Sequence, residues 1–215
     1  NNNKLFSAYR SAIGGGDSNQ IGESDLSTGG RYNNVFSGKS NKILGGDAGT
    51  ILGGQNNQIL KGPGLGYGGH VVLGGEGNDI NTSPVGSGVT IGGSIIGTGY
   101  NNMIHSYNNS FIGTGVLNYI GISGSYGIIV GGSQNYITNA TSKAAVEYSS
   151  ILNGYKNYVY ASHSFIAGGA KNYINDGHTN SYVLGSYIST TQPDTTYVNN
   201  LIVTGSYSGS HVGIG

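Results

Sequence analysis

Residues 149–174 read SSILNGYKNYVYASHSFIAGGAKNYI, and this stretch contains nearly the same motif twice. Ser-Ile-Leu returns as Ser-Phe-Ile, Asn-Gly returns as Gly-Gly, and Lys-Asn-Tyr-Val returns as Lys-Asn-Tyr-Ile. The second copy follows the first after about 15 residues. A short unit that recurs at a nearly constant spacing is typical of solenoid proteins, in which each unit forms one turn of a coil.

The motif recurs along most of the chain as two apolar residues, a small residue, Gly, two or three further residues, and Asn-x-Ile. Clear copies begin at Ile51, Val72, Ile129 and Ile151, and looser copies begin at Ala12, Val35, Ile95, Phe111 and Phe165. The spacing of the repeated Asn ranges from 15 residues (Asn157 to Asn172) to 24 residues (Asn78 to Asn102). The chain therefore has a core unit of about 15 to 17 residues, with insertions in some turns.

The composition favours strands over helices. Glycine occupies 42 of the 215 positions, and each Gly inside a helix costs about 1 kcal/mol relative to Ala. Each unit has room for two short strands, with the Gly-Gly step turning the chain between them. The sequence thus predicts an all-β fold, a parallel β-solenoid or β-roll of about eleven turns stacked about 4.8 Å apart. We expect a lead-in at residues 1–8, the repeat domain at 9–188, and a non-repeating strand segment at 189–215.

The charge and cysteine content exclude several classes of partner. The formal net charge is zero and the chain has no Cys, so nothing favours nucleic acid, an anionic membrane or a thiolate metal site. No apolar run approaches the roughly 18 residues of a membrane-spanning helix. Glu76 and Asp79 lie in a segment similar to a calcium-binding repeat, but the other turns carry no carboxylate at the Asp79 position. We expect no metal, no cofactor and no membrane insertion.

The alternation of side chains in a strand indicates which residues face the interior. Residues two apart share a face, so Asn157 and Val159 point the same way, and we predict that both point inward. The repeated Asn residues would then form a hydrogen-bonded ladder from turn to turn. The predicted ladder comprises Asn57, Asn78, Asn102, Asn118, Asn135, Asn157 and Asn172. The alternative is that each Asn adopts a left-handed turn conformation.

Consecutive apolar residues must point to opposite faces of the same strand. One member of each pair fills the interior, and the other forms an exposed apolar stripe of a kind that monomers rarely tolerate. The pairs are Ile51 and Leu52, Val72 and Leu73, Ile95 and Ile96, Phe111 and Ile112, Ile129 and Val130, Ile151 and Leu152, and Phe165 and Ile166. We therefore expect further copies of the chain to cover the stripe, arranged with cyclic symmetry because a parallel coil has a direction.

Tyrosine occupies an outward position in the second half of the repeat. The residue after the repeated Asn is Tyr119, Tyr136, Tyr158 or Tyr173 in these turns. A column of rings about 5 Å apart could stack and stiffen the coil. It could instead bind a glycan, or make a lateral contact with another protein. These three hypotheses remain open at the level of sequence.

The repeat resembles two related classes of surface protein over residues 8–188. It is similar to the head repeats of trimeric autotransporter adhesins and, more closely, to the Ser-Ile-x-Gly-Gly-x-x-Asn-x-Ile repeats of phage tail fibres and tailspikes. The C-terminal residues NNLIVTGSYSGSHVGIG resemble the segment that precedes an endosialidase-type intramolecular chaperone. The resemblance implies a homotrimer in the tail of a virion, outside the cell, in contact with other tail proteins and with a host surface polysaccharide or protein receptor.

Two alternatives from the same resemblance differ in function or location. A tailspike that degrades polysaccharide would need paired carboxylates. Glu23 and Asp25 would share a strand face, but the chain has only nine acidic residues and no recurring pair, so we expect an attachment protein and not an enzyme. The other alternative is the head domain of an adhesin on a bacterial surface.

Overall fold

The computed structural model is a parallel β-solenoid, as the repeat predicts. It describes residues 2–6, 8–22, 31–60, 68–82, 92–106, 108–122, 124–140 and 145–202. These residues form 21 strands of two or three residues each and contain no helix. The coil has about 10 turns of roughly 17 residues. The predicted fold class is confirmed.

Each turn contributes one strand to each of two sheets, and neighbouring strands are parallel. In the first sheet, the Asn sheet, each strand from β3 onward follows a repeated Asn. Its ten strands are β1 (Lys4–Leu5), β3 (Gln20–Ile21), β5 (Lys42–Leu44), β7 (Gln58–Leu60), β9 (Asp79–Asn81), β11 (Met103–Ile104), β13 (Tyr119–Ile120), β15 (Tyr136–Ile137), β17 (Tyr158–Val159) and β19 (Tyr173–Ile174).

The second sheet, the aliphatic sheet, contains the apolar pairs. Its eleven strands are β2 (Ala12–Ile13), β4 (Asn34–Val35), β6 (Gly49–Ile51), β8 (His70–Val72), β10 (Ile95–Ile96), β12 (Phe111–Ile112), β14 (Ile128–Ile129), β16 (Ser150–Ile151), β18 (Phe165–Ile166), β20 (Tyr182–Leu184) and β21 (Thr196–Val198).

The core is a double column of β-branched side chains between the two sheets. In the Asn sheet Ile120 pairs with Ile137, and in the aliphatic sheet Ile112 pairs with Ile129. These side chains, like the equivalent Ile or Val of most other turns, are fully buried. Burying one such side chain stabilises the fold by about 1.5–3 kcal/mol. Because each turn fills its own interior, the core requires no contribution from a second chain.

Strand pairing corrects the alignment of the two copies in residues 149–174. The comparison of Ser-Ile-Leu with Ser-Phe-Ile is wrong by one residue, because Ser150 pairs with Phe165 and Ile151 pairs with Ile166. A shift of one residue would turn every side chain of the strand to the other face, so the register follows the buried Ile and not the first apolar residue. The inward member is the first of the pair at Ile51, Val72, Ile129 and Ile151, and the second at Ile96, Ile112 and Ile166.

Strand pairing also extends past both limits of the predicted repeat domain. Lys4–Leu5 pairs with Gln20–Ile21, and Thr196–Val198 pairs with Tyr182–Leu184. Part of the expected lead-in and part of the C-terminal segment therefore continue the coil. Residues 203–215, which carry most of the chaperone-like tail, lie outside the described residues.

The corner between the aliphatic strand and the next Asn strand requires glycine. Gly115 has φ +113°, and a Cβ at this position would meet the carbonyl oxygen of Gly132 in the following turn. Both the left-handed backbone and the close approach of successive turns exclude a side chain here. The repeated motif thus requires Gly at this position because each corner stacks closely on the next.

The repeated Asn residues form a continuous ladder along this corner. The Oδ1 atom of Asn118 accepts the backbone N–H of Asn135 at 3.1 Å. Its Nδ2 donates to the carbonyl of Thr114 in the same turn at 3.2 Å and to that of Gly132 in the next turn at 2.9 Å. The Asn side chain therefore bonds to backbone groups of its own turn and of the one that follows.

The same arrangement recurs from Asn19 to Asn172, and every one of these Asn residues is fully buried. The left-handed conformation belongs instead to the residue before the ladder Asn, as at Leu117 and Gln134, both with φ 56°. The structure therefore shows the inward ladder, with the left-handed conformation displaced by one position.

Replacing Asn118 with Ala should destabilise the protein strongly. The change removes the side-chain partner of the Thr114 carbonyl and of the Asn135 N–H, and one of two donors to the Gly132 carbonyl, which keeps the N–H of Val116. Each buried group left unpaired costs about 1–3 kcal/mol. We expect the free energy of unfolding to fall by about 3 kcal/mol or more in denaturant titrations followed by circular dichroism. The matched control is Gln58→Ala on the outward face of the Asn sheet, and equal losses for the two variants would contradict a structural role for the ladder.

Candidate functional site: the two outer faces

The outward face of the aliphatic sheet carries no charged side chain among the described residues. Each strand presents two outward residues, one directly before and one directly after the buried central residue. The leading column comprises Ala12, Asn34, Thr50, Val71, Ile95, Phe111, Ile128, Ser150, Phe165, Tyr182 and Thr196. The trailing column comprises Gly14, Phe36, Leu52, Leu73, Gly97, Gly113, Val130, Leu152, Ala167, Leu184 and Val198.

Large apolar side chains on this face are substantially exposed. Leu152 retains 43% of its accessible surface, Val130 retains 45% and Ile128 retains 43%. With a spacing of about 4.8 Å per turn, the stripe extends for about 50 Å. The outward members of the apolar pairs identified from the sequence all lie on this stripe, and the inward members lie in the core.

A groove of about 480 Å³ runs along the leading edge of the aliphatic sheet. Its floor contains Ile95, Phe111 and Ile128, and its wall contains Tyr126 and Tyr148. The two tyrosine rings stack with a centroid distance of 4.7 Å and an interplanar angle of 3°. The wall therefore presents ring edges to the groove, since the stacked faces cover each other.

The sequence reasoning missed this aromatic wall. Tyr126 and Tyr148 are each three residues before a buried central Ile, and His163 occupies the same position one turn later, with its ring 5.5 Å from that of Tyr148. Aligning the copies on the buried Ile, instead of on the apolar pair, would have placed these rings in one column. The recurring ring three residues before the buried Ile is visible in the sequence, but an alignment on the apolar pairs hides it.

The predicted tyrosine column lies on the outward face of the Asn sheet, on the other side of the coil. The centroids of Tyr136 and Tyr158 are 5.0 Å apart and those of Tyr158 and Tyr173 are 4.8 Å apart, with interplanar angles of 4° and 3°. Tyr119 is tilted by 55° against Tyr136 at 6.1 Å. The column thus has the ring stacking that a stiffening role requires.

Stacking limits how the column could bind a sugar. Between Tyr136, Tyr158 and Tyr173 the ring faces are covered by the neighbouring rings, so the hydroxyls and ring edges are the groups left for a ligand. A glycan would therefore bind through a row of hydroxyls and not by stacking on the rings. Binding of a glycan to this column stays a prediction.

Of the acidic residues identified from the sequence, Glu76 and Asp79 lie in the described part of the chain. Asp79 lies on the Asn sheet, with its Oδ2 atom 3.8 Å from Nε2 of His105. Glu76 lies at the corner, where its backbone forms parallel β-bridges with Gln55 and Tyr100 in the neighbouring turns. Glu23 and Asp25 lie outside the described residues. Among the described side chains, no three His, Asp or Glu residues come together in a group that could hold a metal ion. These residues likewise form no helix long and apolar enough to span a membrane.

No model of a known protein family matches the chain, and no curated protein has a significant sequence match to it. The assignment to a β-solenoid therefore depends on the geometry alone. The resemblance to fibre and adhesin repeats remains a hypothesis about function.

Three partly buried tyrosines should make the protein sensitive to alkaline pH. Burial raises the pKa of Tyr119 and Tyr160, and burial together with the neighbouring Tyr173 and Tyr136 raises that of Tyr158. The folded state then holds these protons more tightly than the unfolded state does. This stabilisation is complete below the unfolded-state pKa of about 10 and is lost as the pH rises above it.

We expect the melting temperature to be constant from about pH 8 to 9.5 and to fall above about pH 10. The Tyr158→Phe variant keeps the stacked ring but has no phenol proton at this position, so its melting temperature should fall less over the same range. A wild-type profile that is flat to pH 11.5, or identical slopes for the two proteins, would contradict the assignment.

Proposed function

We propose that this chain is a structural and host-attachment protein, three copies of which assemble side by side into the shaft or tip of a phage tail fibre or spike. One observation carries the proposal: the outward face of the aliphatic sheet is uncharged and largely apolar over nearly the whole coil. The core beneath it is already filled by the Ile and Val residues of the same chain. An apolar surface of this extent is typical of a face that another molecule covers.

The shape of the stripe favours copies of the chain as the covering molecules. The stripe is as long as the coil and repeats with the coil's own spacing, so a second coil of the same pitch can contact it at every turn. Because the strands are parallel, the coil has a direction, and identical coils packed side by side in the same direction obey cyclic symmetry. The number three comes from the resemblance to phage fibre repeats.

The opposite face supports the attachment role. With the aliphatic sheets packed together, the Asn sheet and its tyrosine column still face solvent. Three parallel columns would bind a repetitive host polysaccharide or a protein receptor with high avidity, although each contact is weak. Other tail proteins of the virion would contact the ends of the rod. An adhesin head on a bacterial surface could use the same faces, but the repeat resembles the phage fibres more closely.

Two neighbouring substitutions should separate assembly from folding. Ile151 is fully buried and Leu152 is 43% exposed on the stripe. Ile151→Asp places a charge in the core and should abolish cooperative folding. Leu152→Asp should leave the circular dichroism spectrum of the coil unchanged but yield single chains in light scattering. If the Leu152→Asp protein keeps the oligomeric mass of the wild type, the stripe is not the interface.

Receptor binding can be tested on an array of bacterial surface polysaccharides. The double variant Tyr136→Ser and Tyr158→Ser removes two hydroxyl-bearing rings from the column and should lower binding of labelled protein at least tenfold. The control is Tyr187→Ser, which removes an exposed tyrosine outside the column. Unchanged binding by the double variant, with a lowered melting temperature, would give the column a purely structural role.

A further inference from the structure

The two outward columns of the aliphatic sheet differ in size in a complementary way. In most turns one outward position is bulky and the other is small. The leading residue is the bulky one in the pairs Ile95 and Gly97, Phe111 and Gly113, and Phe165 and Ala167; the trailing residue is the bulky one in the pairs Thr50 and Leu52, and Ser150 and Leu152. Each of these five levels therefore has one protruding edge and one recessed edge, whereas at the level of Ile128 and Val130 both outward residues are bulky.

Part of this pattern is satisfied within the chain. The ring of Phe111 lies over Gly113, where a Cβ would be 3.3 Å from the nearest ring carbon. At Ser150, by contrast, the leading column has no bulky side chain, and the groove extends to this position between Ile128 and Tyr148. The recess at Ser150 is a part of the stripe that its own turn leaves unfilled, and it continues the groove.

The chemistry of the groove favours an aliphatic occupant over a sugar. The Ser110 hydroxyl is already bonded to that of Ser106 at 2.6 Å. The Ser149 hydroxyl donates to the carbonyl of Ala161 at 2.9 Å. Among the residues that the structure describes, no charged side chain lines the groove. Asn109, Ser150, Tyr126 and Tyr148 also line the groove and offer a sugar some hydrogen-bonding groups, but most of the lining is apolar. An aliphatic side chain would bury its own surface against Ile128 and Phe111.

Symmetry then identifies that side chain. In a ring of parallel copies each contact joins two different edges, so the leading edge of one coil faces the trailing edge of the next. At the height of Ser150 the trailing edge carries Leu152, and at the height of Ile128 it carries Val130. If neighbouring copies were displaced by one turn, Phe165 of one copy would face Leu152 or Leu184 of the next. With the copies in register, Phe165 faces the smaller Ala167.

We infer that neighbouring copies pack in register, with Leu152 and Val130 of one copy seated in the groove of the next beside Ser150 and Ile128. This inference depends on the self-association proposed above and adds its register and its two contacting edges. The groove is accordingly a socket for a second copy of the chain and not a site for a soluble ligand.

The chain contains no Cys, so introduced cysteines can report this contact without background. The double variant Ser150→Cys and Leu152→Cys places one thiol on each edge at the same height. These two positions are separated by about 7 Å along one strand face, too far to bridge within a chain. Mild oxidation of the assembled protein should give covalent closed oligomers on non-reducing gels for most chains, and their size counts the copies.

Three controls make the result decisive. Each single variant should give no covalent product, because in this packing Ser150 meets Leu152 and not another Ser150. Covalent dimers from either single variant would overturn the inference, since they require two copies to meet through the same edge, as in an antiparallel pair. The variant Val130→Cys with Ser150→Cys should also remain uncrosslinked, and its crosslinking in place of the first pair would show a register displaced by one turn.

Light scattering on the unmodified protein separates the two proposals. A single-chain mass overturns the assembly itself, and with it the inferred packing. An oligomeric mass combined with an uncrosslinked Ser150→Cys and Leu152→Cys protein overturns only the packing. An oligomeric mass combined with a crosslinked double variant supports both.

Discussion

The coil depends on one side chain that completes the hydrogen bonding of a corner. The tight turn at each Gly leaves carbonyl groups pointing into an interior that water does not reach, and buried carbonyls must find a donor. The Nδ2 group of each ladder Asn supplies two such bonds, one in its own turn and one in the next, as at Asn118. The strands are only two or three residues long, so the ladder adds to the short strand pairings and to corner backbone bonds such as that from Val116 N–H to the Gly132 carbonyl.

The sequence predicts the fold well because the repeat period, the repeated Gly and the repeated Asn all result from the same corner between two strands. The β-solenoid class, the two strands per turn and the Asn residues at the ladder positions follow from the motif alone. The register of the apolar pairs does not follow, because Ile151-Leu152 and Phe165-Ile166 look equivalent in a string of letters. The inward residue is distinguished from the outward one only by its pairing with a buried residue of the adjacent strand, as Ile151 pairs with Ile166. The position of the Tyr126 and Tyr148 wall depends on the same pairing.

The two sheets share a core but differ on the outside. Where the described outward residues of the aliphatic sheet are uncharged, the Asn sheet carries Lys42 and Asp79 in its first half and the stacked tyrosines in its second. This division allows one face to be covered and the other to meet a receptor. Composition averages the two faces and therefore hides the difference, which is why the sequence predicts apolar pairs and tyrosines but not their separation onto opposite sides of the rod.

The ladder also has a polarity along the chain. The Oδ1 of each Asn accepts the backbone N–H of the turn that follows, from Asn3 bonding to Asn19 through Asn172 bonding to Ile188. A completed turn therefore displays the acceptor that orients the next one, while contacts remain confined to adjacent turns. A nascent chain leaving the ribosome can use each finished turn as a template for the residues that emerge after it. Its folding would then keep pace with translation, and most of the coil could form before the last residues are synthesised.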